Sequence, residues 1–252
     1  MRGNHNYEPI QNYLLAALPD TDLQRIQRYL TSTSLEMEDD LYEAGSRNQC
    51  VYFPTTAVVS LLHLTHDGSS SNVAVVGNEG LIGVSSFMGG ETTHGRPVVQ
   101  SAGHAYRLSG QVVQHEFTRC GAVQRLFLRY MQALLAQMAQ TVVCNSHHSL
   151  DQRLCRWLLL NLDRLPTNRL HMTQELIATM LGVRREGVTA AAGKLQSAGI
   201  IEYSRGNITI LDRAALEDSA CECYAVVETE CDRLLPKPAL SNAGLSAVSY
   251  NA

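Results

Sequence analysis

From Ala122 to Leu165 the chain contains neither glycine nor proline, and this run constrains the fold more than any other feature. It is too long for one ordinary globular helix. Its first part carries Leu126, Phe127, Tyr130, Met131, Leu134, Leu135, Met138 and Val142. Paired apolar residues at each turn make a stripe wider than one contact face needs. One edge is expected to pack on the chain's own β-domain and the other on a second copy of the chain. A helix buried wholly within its own domain is the alternative. The polar stretch NSHHS, at 145–149, then breaks the run. Ser149 with Gln152 three positions on has the spacing of a capping box, so a new helix and a domain boundary are placed there.

Upstream, residues 10–34 set Leu14, Leu15, Leu18, Leu23, Ile26 and Leu30 at helical spacing. From about 40 to 109 the pattern changes to short apolar strands cut by turn signals. AVVSLLHL (57–64) ends at HDG, VAVVG (73–77) at NEG, and LIGV (81–84) precedes a Gly-Gly pair. Pro97–Gln100 and His104–Leu108 flank a short SAG. Such spacing with glycine-rich turns predicts a small β-barrel or jelly roll.

Downstream of Pro166 the elements shorten. Thr173 can cap a helix, TQELIATML, that ends at Gly182. A second helix, from about Arg184 to Ser197, turns Val188, Ala191, Ala192 and Leu195 inward at i, i+3, i+4 and i+7. Glu186, Thr189, Ala190, Gly193 and Lys194 face outward, with Arg184 and Arg185 on the first turn. IIEY, a turn at SRGN and ITIL then form a hairpin. Helix, glycine turn, helix and β-wing make a winged helix-turn-helix.

The net charge of −4 is unevenly divided. Residues 1–149 hold 9 cationic and 12 acidic side chains, 150–213 hold 9 and 6, and 214–252 hold 2 and 6. The positive block is the one with the winged helix, and nucleic-acid affinity follows local cation density rather than the chain total. With 45% apolar and 17% charged residues the chain reads as globular. No apolar run is long enough to span a bilayer, and the N-terminus lacks a secretory pattern. Seven cysteines at irregular spacings argue against a disulfide framework and for a reducing compartment, so a cytoplasmic protein is expected.

A β-roll, a long helix and a C-terminal winged helix-turn-helix resemble the Crp/Fnr family of bacterial transcription regulators. The likeness covers roughly residues 14–215. It is most specific in MTQELIATMLGVRREGVTAAAGKLQSAGIIEYSRGNITI, with further matches in VYFP (51–54), the roll's glycines and EGLIG (79–83). The resemblance implies an α+β chain in four parts. Residues 1–120 form a jelly-roll, cyclic-nucleotide-binding-like sensor and 121–148 a dimerisation helix. Residues 149–217 form the winged helix-turn-helix and 218–252 an acidic C-terminal extension. It further implies a homodimer on a two-fold symmetric double-stranded DNA site, with RNA polymerase as a partner and a signal sensed in the roll.

The family's recognition helix usually carries an Arg-Glu pair and a second Arg four residues after the Glu. The pair matches Arg185 and Glu186, whereas the third position is Ala190. Arg185 can contact guanine O6 and N7, and Glu186 can accept from a cytosine amino group. Thr189 lies on the same face. Arg184, Lys194 and the backbone N–H groups of Thr173 and Gln174 are expected at phosphates.

The sensing half departs further from the cyclic-AMP binders. Val84 replaces the ribose-binding Glu, and Pro97 replaces the Ser or Thr after the phosphate-binding Arg96, removing a hydroxyl and a backbone donor. Met138 and Ala139 replace polar residues that meet the adenine. Cyclic AMP is therefore not expected, while Arg96 remains the candidate contact for some other anionic small-molecule effector. The family's iron–sulfur members use an N-terminal cysteine cluster, and this chain has no cysteine before Cys50. Cys221, Cys223 and Cys231 can be read as metal ligands, as oxidation sensors or as small apolar fillers. The filler reading is taken, so neither a metal nor a cofactor is expected. His63 and His66 point to opposite faces of one strand, and His147 and His148 sit at the helix break.

A different class of function is a cupin-like metal enzyme with an accessory DNA-binding domain. It needs several His and a carboxylate converging inside the roll. No close His-x-His pair with a nearby Glu, no Ser-His-Asp pattern and no P-loop occurs. A non-enzymatic, effector-gated DNA-binding regulator is the expectation.

Overall fold

The computed structural model describes residues 8–46, 49–66, 68, 70–90 and 92–235. In chain order, α1 (Tyr13–Ala16), α2 (Asp20–Gln27), β1 (Thr31–Leu35), β2 (Cys50–Pro54), β3 (Val58–Leu64) and β4 (Ser70–Val76) come first. Then follow α3 (Ser85–Met88), β5 (Gly95–Ser101), β6 (Gly103–Ser109) and α4 (Gly110–Thr118). Asn12 begins this half. Its side-chain oxygen accepts from Leu14 and Leu15 N–H, and its amide donates to the Pro54 and Gly80 carbonyls.

Two antiparallel sheets, β1-β6-β2 and β4-β3-β5, enclose one apolar core. Phe53, Val59, Val76, Leu81, Val99 and Leu108 are all buried in it. Two expectations are corrected here. The helical reading does not extend to residue 34, because the Thr/Ser run of β1 pairs with β6. Serine and threonine hydroxyls compete with helical backbone bonds, and an open sheet edge captures the segment. LIGV is not a strand either: only Ile82 bridges, to Tyr52, before Gly83 turns the chain at φ +102°.

α5 (Ala122–His147) crosses the roll and ends at the polar break. Its two edges differ. Val123, Leu126, Phe127, Tyr130 and Leu134 are buried against the roll, and the Tyr130 hydroxyl donates to the Leu81 carbonyl at 2.7 Å. Leu128, Leu135 and Val142, seven residues apart, face outward, and Leu135 and Val142 are 64% and 65% exposed. Ser149 then caps α6 (Leu150–Leu162), with both halves of the capping box formed. Such caps contribute about 1 kcal/mol.

The last third contains β7 (Arg169–His171), α7 (Gln174–Leu181), α8 (Arg185–Ser197), β8 (Ile201–Ser204) and β9 (Asn207–Ile210). The wing is a three-stranded sheet, β7-β9-β8, rather than a lone hairpin. In the acidic segment α9 (Arg213–Asp218) and α10 (Cys223–Leu234) follow, and α10 lies along α5. Residues 236–252 of the expected C-terminal extension lie outside the described residues. A second core gathers Leu154, Trp157, Leu158, Ile177, Val188, Leu195 and Ile208, together with Leu62 and Val98 from the roll. The two halves are therefore joined by apolar packing. A partly buried ion pair adds to this joint, Arg164 Nε to Glu79 Oε1 at 2.7 Å. Burial pulls the Arg164 guanidinium down, but Glu79, Cys231 and Asp163 together hold it above its ordinary value. No helix among the described residues is long and apolar enough to cross a membrane.

Candidate nucleic-acid interface

Local sequence sets the angle between α7 and α8. The Thr173 hydroxyl accepts from Leu176 N–H at 3.2 Å and fixes the start of α7. Gly182 ends α7 at φ +63°, ψ +42°, a conformation glycine adopts without strain. A side chain there would also meet the Ser71 hydroxyl of β4 at 2.8 Å. Arg184 is then the N-cap of α8, with no side-chain cap on the helix. Its N–H groups are left for solvent or an anion.

Inward, Val188, Ala191, Ala192 and Leu195 are buried; outward, Arg184, Arg185, Glu186, Thr189, Ala190, Gly193 and Lys194 are exposed. Thr189 donates to the Gln174 amide oxygen at 2.7 Å, tying the middle of α8 to the first turn of α7. Nothing lies within 4 Å of where a Gly193 Cβ would stand, so this part of the face is open. Lys194 departs from the rest, because its Nζ is paired with Asp151 of α6 at 2.6 Å.

Sequence reasoning missed one residue. Arg205 and Gly206 turn the wing, with φ +50° and +81°. That turn carries Arg205 to the same groove as Thr173, Gln174, Glu175, Arg185 and Tyr203, an open space of about 460 Å³. The SRGN turn is legible in the sequence, but its arginine gains its neighbours only when the wing folds against α7. The Tyr203 hydroxyl donates to the Met172 carbonyl at 2.8 Å and braces the wing. Burial raises the Tyr203 phenol, and the nearby Arg185 charge opposes this. The guanidiniums of Arg184, Arg185 and Arg205 have no hydrogen-bond or ion-pair partner among the described residues. Exposed, unpaired guanidiniums beside an uncapped helix start suit phosphates and base edges.

Residues 152–219 match the Crp-like helix-turn-helix domain. The chain carries a Crp-like helix-turn-helix, a DNA-binding module of transcription regulators. Solved structures share the wider fold. FixK2 from Bradyrhizobium japonicum is 18% identical with a TM-score of 0.65, covering 76% of this chain and 98% of that one. The c-di-GMP-responsive global regulator CLP from Xanthomonas campestris is 15% identical with a TM-score of 0.62, covering 76% and 99%. A transcriptional regulator of the CRP family from Thermus thermophilus, TTHB099, is 21% identical with a TM-score of 0.62, covering 75% and 96%. No curated protein matches the chain. The mixed architecture of β-roll, long helix and Crp-like helix-turn-helix is thus the Crp/Fnr fold.

In the roll of this Crp/Fnr fold, Arg96 is already engaged. Its Nε and one terminal nitrogen each donate to Asp40 at 2.7 Å, a bidentate pair between β5 and the turn after β1. This partner raises the guanidinium above its ordinary value. An anionic ligand would have to displace the carboxylate. Val84 stands at the N-cap of α3, Met138 packs partly buried on the roll core, and Ala139 is exposed. Cys231 also joins the roll core, away from Cys221 and Cys223.

Proposed function

We propose that the chain acts as a homodimeric, sequence-specific regulator of transcription, with α8 reading the major groove of a two-fold symmetric double-stranded DNA site. The observation that carries this reading is the solvent-facing start of α8, where the guanidiniums of Arg184 and Arg185 are unpaired and Arg185 shares a groove with Arg205 of the wing. Arg185 reads a guanine and Glu186 a cytosine amino group. Arg184, Arg205 and the N–H groups at Thr173 and Gln174 hold phosphates, while Thr189 and Gln174 brace one another at the groove floor. Lys194 is a weaker phosphate contact, since it must leave Asp151. The outward edge of α5, with Leu128, Leu135 and Val142 seven residues apart and flanked by Met131 and Met138, which are half-buried against the roll, has the spacing of a two-stranded helical seam.

The roll at 1–120 is the sensor, α5 the dimerisation helix and 149–217 the DNA-reading unit, with 218–235 packed back on α5. The protein works in the cytoplasm as a regulator rather than an enzyme, and meets RNA polymerase at promoters. Its effector is a small molecule other than cyclic AMP. Selecting sites from a random duplex pool tests the reading. Enrichment of an inverted repeat, with half-sites about one helical turn apart and two chains bound, supports it. Enrichment of no motif overturns it.

A further inference from the structure

Cys144, Cys221 and Cys223 form a buried cluster of their own, separate from both apolar cores. Thiols that merely filled space would sit among aliphatic side chains. These three sit instead with His148, and all four candidate ligand atoms lie within 4.8 Å of one another. We propose that Cys144, His148, Cys221 and Cys223 form a tetrahedral Cys3His site for a zinc-like divalent cation, which clamps the C-terminal helix to the joint between α5 and α6.

The spacing of the ligands fits this chemistry. Zn–S bonds of about 2.3 Å and Zn–N bonds of about 2.0–2.1 Å place tetrahedral ligands roughly 3.5–3.8 Å apart. The Cys144 and Cys221 sulfurs are 3.5 Å apart, and His148 Nδ1 is 3.4 Å from the Cys223 sulfur. Cys144 and His148 stand four residues apart across the end of α5, on one face. Cys221 and Cys223 come from the turn that opens α10.

The surroundings fit as well. His148 Nε2 is 3.2 Å from Glu222 Oε1, so the ring donates there and keeps the Nδ1 lone pair for the cluster. A carboxylate behind a ligating imidazole is the usual support of a zinc histidine. The Gln140 amide donates to the Cys223 sulfur at 3.0 Å. Three thiols that release their protons to solvent, one neutral imidazole and one dication leave a net charge of −1. Arg156 is 6% exposed, lines the same cleft as Cys144 and has no carboxylate partner among the described residues. Its guanidinium supplies the compensating charge.

The site joins the helix break to α10, so its occupancy sets how freely the winged helix can move relative to the roll. Metal binding is read without DNA, so its failure is distinct from failure of the proposed function. The full chain, purified under reductant, should retain about one zinc per chain by elemental analysis. Replacement by cobalt(II) should give intense visible bands of tetrahedral coordination and near-ultraviolet thiolate charge transfer. C223S should lose both signals, whereas C231S and C155S should keep them. E222Q changes a solvent-facing side chain, leaves all four ligands in place and should lower zinc affinity about 10–100-fold. Three results would overturn the proposal: no stoichiometric metal, a Cys144–Cys221 disulfide in its place, or unchanged affinity in both C223S and E222Q. An iron–sulfur chromophore would overturn the choice of cation.

Discussion

In the roll, Arg96 is clasped by Asp40 through two 2.7 Å bonds; on the winged helix, the guanidiniums of Arg184, Arg185 and Arg205 reach solvent with no partner among the described residues. The same residue type therefore stands in opposite conditions in the two halves. A free guanidinium meets an incoming phosphate or guanine after losing only water. A paired one must first exchange a carboxylate, and an exposed pair contributes about 0–1 kcal/mol. The winged helix is built to receive an anion, whereas the roll at Arg96 is closed by the protein's own. Ligand control through the roll has to break the Asp40 pair or act elsewhere.

The largest expected effect concerns two neighbouring leucines. Leu135→Glu puts a charge on the outward edge of α5 and should yield a folded monomer. An unpartnered charge in a desolvated seam costs about 3–5 kcal/mol, so affinity for a palindromic duplex should fall at least about 10²-fold. Leu134→Glu, only one position away, faces the roll at 8% exposure and should lower thermal stability instead. Sedimentation and thermal unfolding of both variants separate the two outcomes. A dimer in Leu135→Glu would place the seam elsewhere.

Next in size is Arg205→Ala, which removes a phosphate contact. Binding to all duplexes should weaken together, and the slope of affinity against salt should drop by about one phosphate's worth. Lys194→Ala should do less, because the lysine is held by Asp151. Equal effects from the two would show that the pair opens freely on DNA.

The smallest effect belongs to the roll. Arg96→Ala should change unfolding stability by less than about 1 kcal/mol and leave DNA affinity unchanged. Trp157, buried at the joint with its indole N–H unbonded, reports on that region. Cyclic AMP at about 1 mM, the weak end of ligand affinities, should alter neither its fluorescence nor DNA binding. A saturable response lost in Arg96→Ala would restore a cyclic-nucleotide pocket.

What the sequence disclosed was local. The Thr173 cap, the Gly182 stop and the Ser149–Gln152 box each involve residues within a few positions, and their conformations follow from side-chain chemistry alone. The apolar stripe of α5 was visible too, but not which leucine faces which way. That depends on how the roll seats the helix, and Leu134 and Leu135 part company there. Partners distant in the chain were hidden: Asp40 for Arg96, Asp151 for Lys194 and Glu79 for Arg164. The thiol cluster shows the same limit. Cys231 stood nearest to Cys221 and Cys223 in sequence, yet packing of α10 on α5 brings Cys144 and His148 to them instead.

The account rests on α8 as the reading helix, and Arg185 tests it most directly. The affinity of the full chain and of Arg185→Ala should be compared on the best selected site and on random duplex at one salt concentration. The account predicts a loss of about 1–3 kcal/mol on the selected site, relaxed preference at one position in each half-site, and a much smaller loss on random duplex. Unchanged affinity and unchanged preference in Arg185→Ala would contradict it.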